Sequence, residues 1–341
     1  MWEHLKKSEK PIVLYGTGNG AEKIAAVLKD RGIKISGVFA SDDFVRSKTF
    51  EGMPVTNYRT AKDSLGDMII LVCFGTDRPE LIEHINDLSK EQELYCPDVP
   101  VYGGGLFDRA YYESCREEFE RLSARLADDQ SRNVLENVIQ YKLSGKPEYL
   151  YACESPEKDA WKLLDLQKNE SYLDLGAYTG DTISDFIEAA GSYSKIYAFE
   201  PDPRNFRKLS ENTFGLENCI LYNMAVSDKK ETVSFLKNAG RGSSAKKGRL
   251  ISVEADSVDN VIGNDNLSLI KMDVEGEESK AIAGAKNCIL RNHPKMMIAA
   301  YHRTEDLLAI PKQVLAINSS YKLYLRHSPC LPAWEINYLF V

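Results

Sequence analysis

The chain predicts an α/β fold of two doubly wound units, a smaller one followed by a larger one whose sheet ends in an antiparallel edge. Short apolar runs alternate with helix-forming segments, the pattern of mostly parallel sheets covered by helices. Two of those runs, Ile12-Val-Leu-Tyr15 and Tyr172-Leu-Asp-Leu175, lead into glycine turns that open helices. Open α/β sheets hold their ligands at such strand ends. The length, 341 residues, exceeds what one hydrophobic core ordinarily serves, and 43% hydrophobic residues suffice for two.

Residues 1–109 make the first, Rossmann-like unit. Ile12–Tyr15 is followed by the turn Gly16-Thr-Gly-Asn-Gly20, a helix from Ala21 to Lys29, and strand signals at Ile35–Phe39 and Met68–Phe74. Gly103-Gly-Gly105 marks a break. Residues 110–168 read as a helical bridge: Tyr111–Leu126 and Ser131–Leu143 carry helix-forming charge without strand signals. Gly145-Lys-Pro147 ends them, and Pro156–Leu166 adds one more helix. Residues 169–341 carry strand signals at 171–175, 195–199, 219–223, 267–272, 295–300, 320–325 and 335–340, the last two forming the antiparallel edge. Between Thr232 and Val253 two strand-like pieces flank Asn238–Gly248, a polar, glycine-rich stretch that reads as a mobile loop.

Carboxylates set the chemistry of the second glycine turn. Asp174 sits in the strand and Asp181 opens the helix, with Gly176 and Gly180 between them. A pyrophosphate at that helix N-terminus would be repelled by both acids, whereas a cofactor carrying a sulfonium and an ammonium is attracted. The pattern points to S-adenosylmethionine. Gly176 is read as leaving room for its methionine moiety, and Tyr178 and Asn223 as bordering it. Glu200 ends the next strand about twenty residues after the turn, the spacing at which an acid meets ribose hydroxyls. Farther on, Leu269–Met272 delivers Asp273 and Glu275 to a strand end, and Met296–Tyr301 delivers His302 and Arg303. Transfer from a sulfonium needs no metal in principle. A hydroxyl acceptor must still lose its proton, so Asp273, Glu275 and His302 are the catalytic candidates. Lys271, Arg241 and Arg303 are candidates to hold an anionic acceptor, while Lys246 and Lys247 read as solvated charge.

Asp174-Leu-Gly-Ala177 with Gly180-Asp181, Phe199-Glu-Pro-Asp-Pro203, Ala225-Val-Ser-Asp228 and Lys271-Met-Asp-Val-Glu-Gly-Glu277 stand in order. In these blocks the chain resembles the FkbM family of class I S-adenosylmethionine-dependent methyltransferases, over residues from about 169 to the end. The resemblance implies a class I methyltransferase sheet and O-methyl transfer to a hydroxyl of a sugar, nucleotide sugar or related metabolite. Many such enzymes stand beside surface-polysaccharide or natural-product pathways. It also implies a cofactor site formed by Asp174, Gly176, Ala177, Tyr178, Gly180, Asp181, Glu200, Asp202, Asn223, Ala225 and Asp273. The first unit, through Gly16–Gly20, Val38–Asp43 and Phe50–Pro54, is similar to nucleotide-sugar-binding domains of some sugar-modifying acyltransferases. Gly16–Gly20 is open either to a nucleotide or nucleotide sugar or to a relic fold used for dimerisation or for positioning the second unit. Two other readings stay open: an NAD-dependent oxidoreductase using that first turn, and a non-catalytic scaffold of a biosynthetic complex.

The formal charge of −8 and pI near 5.4 disfavour nucleic acid and anionic membrane surfaces as partners. Met1-Trp-Glu-His-Leu-Lys-Lys7 lacks a signal-peptide core, and a cytoplasmic protein is expected. The seven cysteines are scattered without C-x-x-C spacing, so neither zinc nor a disulfide framework is indicated; Cys73 and Cys219 are read as buried. His4, His84, His293 and His327 are assigned to surfaces or helix ends. The composition is compatible with a homo-oligomer and does not specify one.

Overall fold

The computed structural model describes residues 1–41, 49–237 and 249–341. The glycine-rich stretch Asn238–Gly248, with Arg241, Lys246 and Lys247, lies outside them. The first sheet comprises β1 (Ile12–Tyr15), β2 (Gly37–Phe39), β3 (Thr49–Phe50), β4 (Met53–Thr56), β5 (Ile69–Val72) and β6 (Glu93–Tyr95), in the order β3-β4-β2-β1-β5-β6. All neighbours pair in parallel except β3 with β4. Strand order reverses between β1 and β5, so the first glycine turn stands at a switch point.

The larger sheet comprises β7 (Ser171–Leu175), β8 (Lys195–Phe199), β9 (Cys219–Tyr222), β13 (Leu269–Met272), β14 (Lys295–Ala299), β15 (Leu323–His327) and β16 (Ile336–Phe340), in the order β15-β16-β14-β13-β7-β8-β9. Between β9 and β13 come β10 (Ala225–Val226), β11 (Glu231–Lys237) and β12 (Arg249–Asp256), a separate sheet in which β12 pairs parallel to β10 and antiparallel to β11. The sequence anticipated the β11 and β12 pieces but not β10 as their companion.

The last two strands form the expected antiparallel edge, in an order the sequence did not specify. β16 inserts between β14 and β15 and runs antiparallel to both, so the outermost strand β15 is parallel to β14. A helix at Asp306–Ile317 carries the chain past the vacant position, and the short return between β15 and β16 can only form an antiparallel pair. β15 also begins later than expected. Asn318 accepts hydrogen bonds from the Ser320 amide (3.0 Å) and hydroxyl (2.7 Å), which holds those residues in a turn.

The strands β1, β5, β7 and β13 are buried at every position and mostly apolar, Asp174 of β7 and Lys271 of β13 being buried charges, as sheets covered by helices require. The bridge helices Arg109–Arg125 and Asp129–Ser144 are capped by Asp108 and Asp128. Asp128 also pairs with Arg326 of β15 at 2.6 Å, and the Ser131 hydroxyl accepts the Leu325 amide at 2.9 Å. The bridge thereby closes the edge of the larger sheet. Its Lys142 reaches Asp98 at 2.8 Å in a nearly water-free contact, which fixes the start of the segment Asp98–Leu106. Of the cysteines read as buried, Cys73 is buried and Cys219 half-buried. His327 contradicts its surface assignment: it ends β15 fully buried, with burial lowering its pKa to about 4.

Candidate active site

Four strand ends converge on one edge of the larger sheet. β7 and β8 end beside each other, and their turn is fixed by backbone bonds: the amides of Gly176 and Ala177 both donate to the Phe199 carbonyl, at 3.0 and 2.9 Å. Gly176 has φ +85°, and a Cβ there would run into the backbone carbonyl of Asp273. The residue is glycine because β7 and β13 approach so closely at this point, not to leave volume for a ligand. Tyr178 follows with φ +47° and is exposed, while Gly180 is buried at the helix start and Asp181 beyond it is exposed.

Glu200 is the pivot of this half of the site. It is 6% exposed, and its carboxylate accepts the amide of Tyr178 at 3.0 Å and that of Asp202 at 2.8 Å. Burial pushes its pKa up to about 7 against those hydrogen bonds and one from Asn205. Asp202 caps the helix Pro203–Asn212, and the Asn223 side-chain amide donates to the carbonyls of Glu200 (2.8 Å) and Pro201 (3.2 Å). Asn223 therefore braces the strand end that carries Glu200. Ala177 is buried beneath the turn, and Ala225 starts the small sheet.

Asp174 lies deeper. It is fully buried, its Oδ2 accepts the Thr182 hydroxyl, and its Oδ1 has no hydrogen-bond partner but faces the Lys271 ammonium at 3.9 Å. Burial raises the Asp174 pKa, and Lys271 and Thr182 oppose the rise. Lys271 is itself buried, with Asp174, Asp273, Glu335 and Asp181 keeping it charged against the cost of burial. Its charge is matched by carboxylates, which leaves little for the anionic acceptor the sequence suggested. Arg303 likewise donates to the Gly276 carbonyl and reaches Glu277 at 3.1 Å.

The other half of the site gathers Asp273, Glu275 and His302. His302 is 1% exposed; its Nε2 lies 3.4 Å from Asp273 and 3.6 Å from Glu275, and its Nδ1 lies 3.0 Å from Glu278. The Tyr301 hydroxyl donates to Asp273 at 3.3 Å. Glu275 (φ +56°) and Gly276 (φ +90°) form a left-handed turn, and such conformations are kept where the surroundings enforce them. Tyr102 does part of that: its side chain lies where a Cβ on Gly276 would stand, and its amide donates to the His302 carbonyl at 2.9 Å. Asp273, Glu278 and His302 each bring a donor atom within 4.8 Å of the others, but the two imidazole nitrogens face different carboxylates.

Glu278 and Tyr102 were missed by sequence. Glu278 directly follows a recognised block and reads as an ordinary acid in the first turn of a helix. Tyr102 comes from the segment after the first sheet and has no local signal. At the other glycine turn, Gly16 has the Phe74 ring 3.0 Å from its absent Cβ. Tyr15 packs against both Phe39 and Phe74 there.

The donor set at β7 and β8 fits an adenosine cofactor with a cationic sulfur: a fixed carboxylate stands where a diol can donate, and the surrounding groups are acidic. Fold and site define a class I methyltransferase-like α/β protein. Residues 174–318 match the model of the methyltransferase FkbM domain. It is similar to a 2-O-methyltransferase, NoeI, of Sinorhizobium fredii, 29% identical over 143 residues covering 35% of this chain. The match spans 58% of that relative's length. The crystal structure of methyltransferase FkbM from Methylobacillus flagellatus KT superposes with a TM-score of 0.74 at 21% identity, covering 97% of this chain and 90% of that one. The shared fold thus includes the first unit and the bridge. Among the described residues no helix is long and apolar enough to cross a membrane.

Proposed function

We propose that the protein is an S-adenosylmethionine-dependent O-methyltransferase that modifies a hydroxyl of a sugar, nucleotide sugar or related metabolite, in surface-polysaccharide or natural-product biosynthesis. The observation that carries the reading is the Glu200 carboxylate, fixed by two backbone amides at the end of β8 beside the acidic β7 turn. The FkbM domain match and the similarity to a 2-O-methyltransferase support methyl transfer to oxygen.

S-adenosylmethionine bound at this edge supplies a methyl group already activated by a sulfonium. The chain's own residues then have three tasks. Glu200 accepts the ribose hydroxyls, the turn from Gly176 to Asp181 bounds the cofactor, and Asp273 with Glu275 offers carboxylate to the acceptor hydroxyl. With the cofactor bound, Asp273 or Glu275 would take up the proton that the acceptor hydroxyl loses as its oxygen receives the methyl group in place of the sulfur. Alignment in a partly closed site carries much of the rate.

The test is incubation with methyl-labelled S-adenosylmethionine and a panel of nucleotide sugars and free glycans, read by mass spectrometry. A product heavier by one labelled methyl, with the label lost on mild N- and S-demethylating controls excluded by its fragmentation, supports the reading. Label arriving only on nitrogen or sulfur acceptors refutes O-methyl transfer.

A further inference from the structure

We propose that Glu278 and His302 are a positioning pair: a buried imidazolium, held by Glu278, draws the Asp273 and Glu275 carboxylates together at the acceptor face, and a carboxylate is the base. This rests on the methyltransferase reading for its role and on the geometry alone for its existence.

A neutral imidazole carries one N–H, so one nitrogen is a lone pair. Here Nδ1 faces Glu278 at 3.0 Å and Nε2 faces Asp273 at 3.4 Å and Glu275 at 3.6 Å. Either neutral tautomer sets a lone pair against a carboxylate. Only the imidazolium presents N–H groups to both sides, and it has no lone pair with which to take a proton. Accessibility agrees: the His302 side chain is 1% exposed, against 28% for Asp273 and 69% for Glu275.

Glu278 is built for holding. It is 1% exposed, and its Oε1 also accepts the amides of Val274 (3.0 Å) and Gly276 (3.4 Å), which ties it to the turn bearing Glu275. Its Oε2 is buried without a hydrogen-bond partner, and the His302 Nδ1 meets the other oxygen, Oε1, at 3.0 Å as an ion-pair contact rather than an aligned hydrogen bond. Opposite charge is the interaction left to compensate those atoms. The remaining groups facing His302 are Tyr102, Tyr301, Arg303 and Asp306, whose carboxylate accepts the Arg303 amide at 2.7 Å. Burial of His302 lowers its pKa, but Glu278, Asp273 and Glu275 outweigh it and raise it to about 9.

Nitrogen-15 NMR of the histidine-labelled protein decides the matter without an acceptor, with His302→Gln identifying the signals. The expected result is a doubly protonated His302 at pH 7.5, titrating near pH 9, with Glu278→Gln lowering that midpoint by about one unit or more. A neutral His302 at pH 7.5 overturns the proposal, and the wild-type spectrum decides this even if the variant does not fold. Selective broadening of its signals by micromolar Mn2+ overturns it in favour of a cation site. Once an acceptor is known, turnover should fall as pH rises through the His302 midpoint; turnover that rises there makes the imidazole the base. Absence of methyl transfer refutes the proposed function and leaves the NMR outcome to judge the pair.

Discussion

Glu200→Gln separates a cofactor-binding carboxylate from a merely buried one. In the wild type, Oε1 accepts the Asp202 amide and Oε2 the Tyr178 amide, so both oxygens are held by the backbone and keep further lone pairs for a ligand. Glutamine turns one oxygen into a donor facing a backbone N–H, and removes the charge that ribose hydroxyls would meet. Hydrogen bonds to charged groups are worth about 1.5–3 kcal/mol, which converts to a dissociation constant weakened by about 10- to 150-fold. The raised pKa adds a second signature. With a value of about 7, ionised Glu200 is about one molecule in eleven at pH 6 and about ten in eleven at pH 8. A cofactor that selects the carboxylate binds about tenfold more weakly at pH 6 than at pH 8 and releases about half a proton at pH 7. Calorimetry in buffers of different ionisation enthalpy measures both quantities, and the variant reports whatever dependence belongs to the cofactor itself. Wild-type affinity and proton release indistinguishable from those of Glu200→Gln would refute the reasoning.

Other perturbations test neighbouring parts of the site. Asp273→Asn should lower turnover by about 10²–10⁴-fold while S-adenosylhomocysteine affinity changes little; equal turnover on an identified acceptor removes Asp273 from the chemistry. Gly176→Ala should destabilise the fold by several kcal/mol in urea titrations, because its Cβ meets the Asp273 carbonyl at a left-handed φ; a loss below about 1 kcal/mol contradicts the close approach of β7 and β13. For Asp128, burial alone would raise the pKa, but hydrogen bonds from Arg326 and Ser131 hold it at about 2. The folded value lies below the ordinary aspartate value of 3.8, so the contribution is complete above that pH and is lost as pH falls through about 2. Asp128→Asn should therefore flatten acid unfolding in that window, and an unchanged profile contradicts the Asp128–Arg326 tie between bridge and sheet.

Local pattern carried most of the fold. The strand ending at Tyr15, the strand 171–175 and the two bridge helices are written in hydrophobic runs, turns and helix-forming charge. The exchange of β15 and β16 is not, since it depends on which vacant edge a returning strand finds. In the site, Glu200, Asp273 and His302 were legible because each closes an apolar strand. Glu278 was hidden by looking like a helix-start acid, and Tyr102 by arriving from a segment about two hundred residues before His302. Lys271 was misread because composition shows a charge and not its four acidic neighbours. Buried His327 was missed because its strand begins three residues later than the sequence suggested.

On the proposed function, the edge formed by β7, β8 and β13, and not the turn at Gly16–Gly20, holds the working cofactor. Equilibrium binding of S-adenosylhomocysteine and NAD to the folded full chain tests it most directly. S-adenosylhomocysteine should bind one site per chain and be weakened by Glu200→Gln, while NAD should neither compete nor support catalysis. Binding of NAD alone, with no uptake of S-adenosylhomocysteine or S-adenosylmethionine at millimolar concentration by folded protein, would contradict it.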